Sequence, residues 1–124
     1  MRFAALVCLI AAPVFAGTWS GVLVNSKCYD DLERSVGPWE SGVDANRDRN
    51  YEIRYCRANA RTTEFTVVQP DGRSYRLDAT GAAQAAEIVR NGNPKWMFVV
   101  AVSGKLTDDT IAVDSVSMLR NVRP

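Results

Sequence analysis

The chain contains no histidine. This excludes Ser or Cys catalysis assisted by an imidazole, His-ligated zinc, and the ordinary pH switch near neutrality. Cysteine is scarce, with three in 124 residues, and no two of them form a Cys-x-x-Cys motif. An excess of either charge is also missing, since 15 Lys plus Arg stand against 14 Asp plus Glu. That balance argues against a surface built as a whole for nucleic acid or an anionic membrane. There is no Gly-rich phosphate loop, Gly-x-Ser-x-Gly elbow or dinucleotide fingerprint, and no cofactor is implied. Two glycosidase-type carboxylates cannot be singled out among the acids, so the sequence does not read as an enzyme; a small carboxylate-based hydrolase stands as the remote alternative. What is present, 47% apolar and 23% charged residues, suits one packed domain.

No apolar run reaches the ~18–20 residues that cross a bilayer. The chain opens MRFAALVCLIAAPVFA. Arg2 precedes an apolar stretch, Pro13 interrupts it, and Val14-Phe15-Ala16 offers the small or aliphatic residues that a signal peptidase reads. Residues 1–16 are therefore expected to be a cleaved signal peptide. Val7, standing before Cys8, excludes a lipoprotein site. Residues 17–124 form the mature domain, exported to the periplasm or the extracellular space and read as a monomer. Removal of Arg2 and Cys8 leaves a formal net charge of zero and two cysteines, Cys28 and Cys56. In an oxidising compartment such a pair is a disulfide, worth roughly 3–4 kcal/mol in the chain-entropy account.

Along the mature domain, 17–26 alternates as a strand with apolar residues on both faces, and Gly21 permits a bend. Residues 30–50 show no sustained period and are expected to be a long surface loop, with a helical turn at 30–35. Tyr51, Ile53 and Tyr55 alternate with Glu52 and Arg54, which predicts a short strand over 51–56. A hairpin follows, with strands at 62–69 and 74–78 around Pro70-Asp71-Gly72-Arg73. Ala82, Ala85, Ala86 and Val89 recur at helical spacing, predicting a helix over 80–91 capped by Thr80, with Gln84 facing water. Residues 96–106 are apolar almost throughout. They turn at 107–110 into a strand over 111–119, where a change of phase predicts a bulge near Asp114–Ser115. Residues 120–124 are expected to be a loose tail. Five main strands with one short helix between the third and fourth is the order of a mainly β, five-stranded OB-like Greek-key barrel.

The segments TWSGVLVNSKCYD, RYCRANARTTEFTVVQPDG and FVVAVSGKLTDDTIAVDSVSML resemble an uncharacterised family of small secreted bacterial proteins. Its pattern is a G-x-L-x-D/N-x-x-C start and a V-x-V-x-G-x-L hairpin near the end. The resemblance implies an OB-like barrel domain and carries no catalytic residues. Asn25 stands where an Asp is common.

Three groups of residues could carry binding. Arg47, Arg49, Arg54, Arg57 and Arg61 interleave with Tyr51 and Tyr55. Arginine forks grip phosphate, sulfate or carboxylate, and tyrosines stack on sugars or bases. The competing reading pairs these arginines with nearby acids and packs the tyrosines beside the disulfide. Asp44, Asn46, Asp48 and Glu52 begin like a calcium loop. The match fails where Arg49 replaces the glycine and Tyr55 the bidentate glutamate, so no metal is assigned. Trp39 and Tyr29 are the candidate exposed aromatics for a sugar or protein contact. Together these readings predict an exported, disulfide-stapled binding or structural module. Its partner is a protein, or a small anionic or saccharide ligand held by the 47–61 segment. Sequencing the N-terminus of the exported chain should return Gly17 as the first residue; retention of Phe15 would overturn the leader boundary.

Overall fold

The computed structural model describes residues 14–33 and 42–124, and over 42–48 it describes the backbone alone. The described chain is mainly β. Its elements are β1 (Phe15–Asn25), α1 (Ser26–Glu33), α2 (Gly42–Tyr55), β2 (Phe65–Val68), β3 (Ser74–Leu77), α3 (Ala79–Asn91), β4 (Met97–Thr107) and β5 (Thr110–Val122). The five strands bond in the order β1-β2-β3-β5-β4, and β4 returns to β1, so the sheet closes into a ring.

Closure depends on β1 having two partners. Its first part pairs antiparallel with β4 from Phe15↔Leu106 to Val22↔Val99. Its last part pairs with β2 from Val22↔Val68 to Asn25↔Phe65. Val22 is thus bonded on both sides, and the strand must bend sharply just before it. Gly21 stands at that point. A Cβ there would collide with the carbonyl oxygen of Val68, so the close approach itself requires glycine. β2 and β3 form the expected hairpin, and Gly72 in its turn has the left-handed φ of 91°. The ring is completed by two parallel residue pairs, Arg76↔Thr110 and Leu77↔Ile111.

Inside the ring, Leu23, Phe65, Val67, Phe98, Val100, Val102 and Ile111 are buried together. Each such side chain contributes roughly 1.5–3 kcal/mol of burial. Ala85 and Val89 of α3 close one end of this core, and Trp19 and Tyr75 pack against it with ring centroids 6.1 Å apart.

α3 begins where the alanine periodicity places it, but its cap is Asp78 and not Thr80. The Asp78 carboxylate accepts from Gly81 N at 2.9 Å and from Val113 N at 3.2 Å. The bulge also falls where the phase change predicts it: Ser103 pairs with Ser115 and Gly104 with Val113, so Asp114 has no opposite residue. Gln84 does not face water, as the helical pattern suggested. Its Oε1 accepts from Val116 N at 2.8 Å, and its Nε2 donates to Asp114 O at 3.4 Å. The side chain satisfies backbone groups on both sides of the bulge, which is the reason it turns inward.

Other expectations are corrected. Residues 120–122 are not a tail; β5 runs on to pair with Met97–Val99 across a second irregularity that leaves Leu119 unopposed. Asn121 holds it, accepting from Asn93 N at 2.7 Å and donating to Met97 O at 3.1 Å. The long loop over 30–50 gives way to helix at both ends, α1 and α2. The 51–56 strand is the last part of α2. Its apparent alternation hides a helical face, because Glu52, Ile53 and Cys56 (i, i+1, i+4) point toward the sheet while Tyr51 and Tyr55 point away. Tertiary packing overrides a sequence of modest helix propensity here.

Gln84→Ala leaves the bulge with two weakly satisfied backbone groups and should cost about 1–2 kcal/mol. Gly21→Ala should cost more, since backbone must move to admit the methyl group. Urea midpoints at constant m-value measure both; a Gln84→Ala variant as stable as the parent would remove the stitching role.

Candidate binding groove

α1 and α2 lie on the outer face of the ring, over a second apolar cluster. Val24 and Val68 of the sheet meet Tyr29, Cys56, Cys28, Leu32 and Ile53 of the helices. The Cys28–Cys56 disulfide joins α1 to the residue that follows α2, with a Cα–Cα distance of 5.5 Å. The Asn25 side chain accepts from Cys28 N at 3.1 Å and so caps α1. Aspartate or asparagine would serve equally at that position. The strand continues past the disulfide through Asn25 N→Cys56 O at 2.7 Å and Ala58 N→Leu23 O at 3.1 Å.

Tyr29 is not an exposed contact aromatic. It is 2% exposed, and Glu52 beside it is 6% exposed. Burial holds the Tyr29 phenol well above its ordinary range. Glu33, whose carboxylate accepts its hydrogen bond, and the Glu52 carboxylate push the same way, while the Arg49 guanidinium opposes them. A phenol sited among carboxylates is a donor and stays one at any ordinary pH.

Beside this cluster, α2 overhangs the outer face of β1 and β4 and leaves a groove of about 380 Å³. Its apolar floor is Val22, Ile53, Val68, Met97 and Val99, and Arg49, Arg54 and Arg120 stand around it. No carboxylate side chain is among its described lining residues. The Arg49 guanidinium lies against Gly72 of the β2–β3 turn. Arg54 and Arg120 are exposed and form no ion pair among the described residues.

The structure therefore divides the arginine–tyrosine segment. Arg49 and Arg54 reach the groove. Arg57 is tied to the scaffold, donating from Nε to Lys95 O at 3.0 Å and from Nη1 to Arg54 O at 2.8 Å. Arg61 lies in the Asn59–Thr62 turn, away from the groove lining. Tyr51 and Tyr55, 57% and 64% exposed, stack on one another at 6.0 Å and also lie outside that lining. Trp39 lies outside the described residues, as do the side chains of Asp44, Asn46, Arg47 and Asp48. The calcium reading loses its backbone, because 44–48 is helical and not a loop. Met97, Val99 and Arg120 were absent from the sequence candidates. β4 and β5 bring them there across the sheet, and only the two-sided apolar character of β4 hinted at it.

A second cavity of about 340 Å³ is lined by Glu64, Asp78 and Arg76, among others. Asp78 is committed to two backbone amides, and Arg76 pairs with Asp30. No described helix is long and apolar enough to cross a membrane. The sequence matches no protein-family model, no curated protein and no solved structure at significant similarity.

The raised Tyr29 value makes a signed prediction. The unfolded phenol ionises near pH 10 while the folded one stays protonated above it. The stability gained is complete below about pH 10 and is lost as pH rises past it. Tyr29→Phe should therefore flatten the alkaline fall of the urea midpoint relative to the parent. Parallel alkaline profiles would show that Tyr29 titrates alike in both states.

Proposed function

We propose that the chain is an exported, disulfide-stapled, OB-like Greek-key barrel that serves as a binding module, with the groove beneath α2 as its ligand surface. The barrel reading is supported by the strand order β1-β2-β3-β5-β4, the parallel β3–β5 seam and the helix between β3 and β4. Export is supported by the Cys28–Cys56 bond, which needs an oxidising compartment, and by the leader-like first sixteen residues. Kinship with the small secreted bacterial proteins that its motifs resemble belongs to the same proposal.

The observation that carries the binding role is the groove itself. Its volume, about 380 Å³, falls in the ~300–1,000 Å³ range of small-ligand sites, and it combines an apolar floor with a few placed polar groups in the way such sites do. Of the β4 residues in its floor, Val99 pairs with both β1 and β5 and Met97 with β5, so the sheet side of the groove is held in place and costs little to order on binding.

Fragment screening of the mature chain by amide NMR shifts tests this reading. Hits should perturb Val22, Ile53 and Val99, and Val99→Trp, which fills the groove from the outer sheet face, should abolish them. Hits clustering elsewhere, and insensitive to Val99→Trp, would remove the groove from the proposal.

A further inference from the structure

Resting on the groove assignment above, we propose that its ligand is a single-headed amphiphilic anion. An apolar body would lie on Val22, Ile53, Val68, Met97 and Val99, and one carboxylate-like head would be held by Arg54 and Arg120.

Three observations support this class. The first is charge. Within a domain of nearly balanced sign, arginines from α2 and from β5 stand at one groove whose described lining offers no carboxylate side chain. Arg54 and Arg120 form no ion pair among the described residues, which favours an anion beside them, and their planar forks suit a carboxylate or sulfonate in particular. The second is the floor. It is aliphatic and contains no described aromatic ring on which a sugar or base would stack. The stacked pair Tyr51–Tyr55 faces elsewhere. Asn50 and Gln69 also line the groove and offer amide groups, but a saccharide or nucleotide would find no ring to stack on, whereas a hydrocarbon body gains from burial on the aliphatic residues. The third is size. A groove near the low end of the small-ligand range takes one medium-length chain or a single ring system and leaves no room for a two-chain lipid.

The arginine environments are unequal in an informative way. Arg49 is braced against Gly72 and neighbours the Tyr29 and Glu52 cluster, so it belongs to the architecture of α2. Arg57 is likewise engaged by two backbone carbonyls. Arg54 and Arg120 are the exposed pair and carry the head-group role.

The test compares three probes that share one chain: decanoate, decanol and decylammonium. Each is titrated into the mature protein and followed by amide NMR. Decanoate should shift Val22, Ile53 and Val99 at one site, with decanol about tenfold weaker and decylammonium weaker still. Arg54→Ala and Arg120→Ala should each weaken decanoate by about fivefold to tenfold while leaving decanol and the thermal midpoint unchanged. Equal binding of decanoate and decanol at the groove, or decanoate binding untouched in both arginine variants, would overturn the anionic class and leave the groove standing. Shifts absent from the groove with all three probes would overturn the groove and the ligand class together. Attachment to phosphatidylglycerol vesicles with no free decanoate binding would show a lipid surface in place of a single amphiphile, and would also overturn the proposal.

Discussion

The end of β1 is covered from both sides, and the molecule is organised around that constraint. Leu23 faces the interior of the ring, and its neighbour Val24 faces out, yet both are fully buried. A lone strand in a closed sheet leaves its outer residues in water. Here α1 and α2 cover them, and the disulfide fixes one helix to the end of the other. The cap from Asn25, the backbone bonds to Cys56 and Ala58, and the sulfur bridge all act within a few residues of one another. The roughly 3–4 kcal/mol expected from the cross-link thus does more than raise stability. It holds the α1–α2 layer to the sheet, and the groove exists because α2 is held there.

The opposite part of the ring uses polar side chains to the same end. β5 carries two irregularities against β4, and each would leave backbone groups unsatisfied. Asp78, which caps α3, and Gln84 within it meet the first, and beyond the second Asn121 ties the end of β5 to Asn93 and Met97. Curvature needed for closure is obtained by breaking the ladder, and at the first break α3 and its cap supply the missing partners. A helix that also closes the core with Ala85 and Val89 is therefore joined to the sheet by two unlike kinds of interaction.

Much of this order was legible in the sequence, and the reasons it failed in places are specific. The β2–β3 turn carried Pro, Asp and Gly in sequence, α3 carried a clean alanine stripe, and the phase slip in β5 marked its bulge. The start of α1 and the 51–55 end of α2 were hidden, α1 showing in the sequence only as a helical turn from residue 30. Tyr51, Ile53 and Tyr55 alternate as a strand would, and the true partners of Ile53, Val24 and Val68, are far away in sequence. Spacing alone held a fainter clue: Cys28, Tyr29 and Leu32, and then Glu52, Ile53 and Cys56, repeat as i, i+1, i+4. The arginine cluster was recognisable as residues and not as geometry. Its four described members, Arg49, Arg54, Arg57 and Arg61, separate into brace, groove, scaffold and turn only when α2 is in place against the sheet. Arg120 shows the limit, because nothing near it in the sequence distinguishes it from a surface charge.

The ring is also uneven in how firmly it is fastened. β4 is held along most of its length by β1 and β5, whereas β3 meets β5 through just two residue pairs. A closed sheet has no free edge while every seam holds. The shortest seam is the natural place for thermal opening, with the β2–β3 hairpin swinging on its attachment to β1. Such an opening exposes the edges of two strands at once, each bearing unpaired amides and carbonyls, which is the state in which one copy can accept a strand from another. The Arg76–Asp30 pair, which ties β3 to α1, lies beside this seam and acts as a latch. That latch bears on solubility as much as on shape, because it guards the edges that a second copy would pair with.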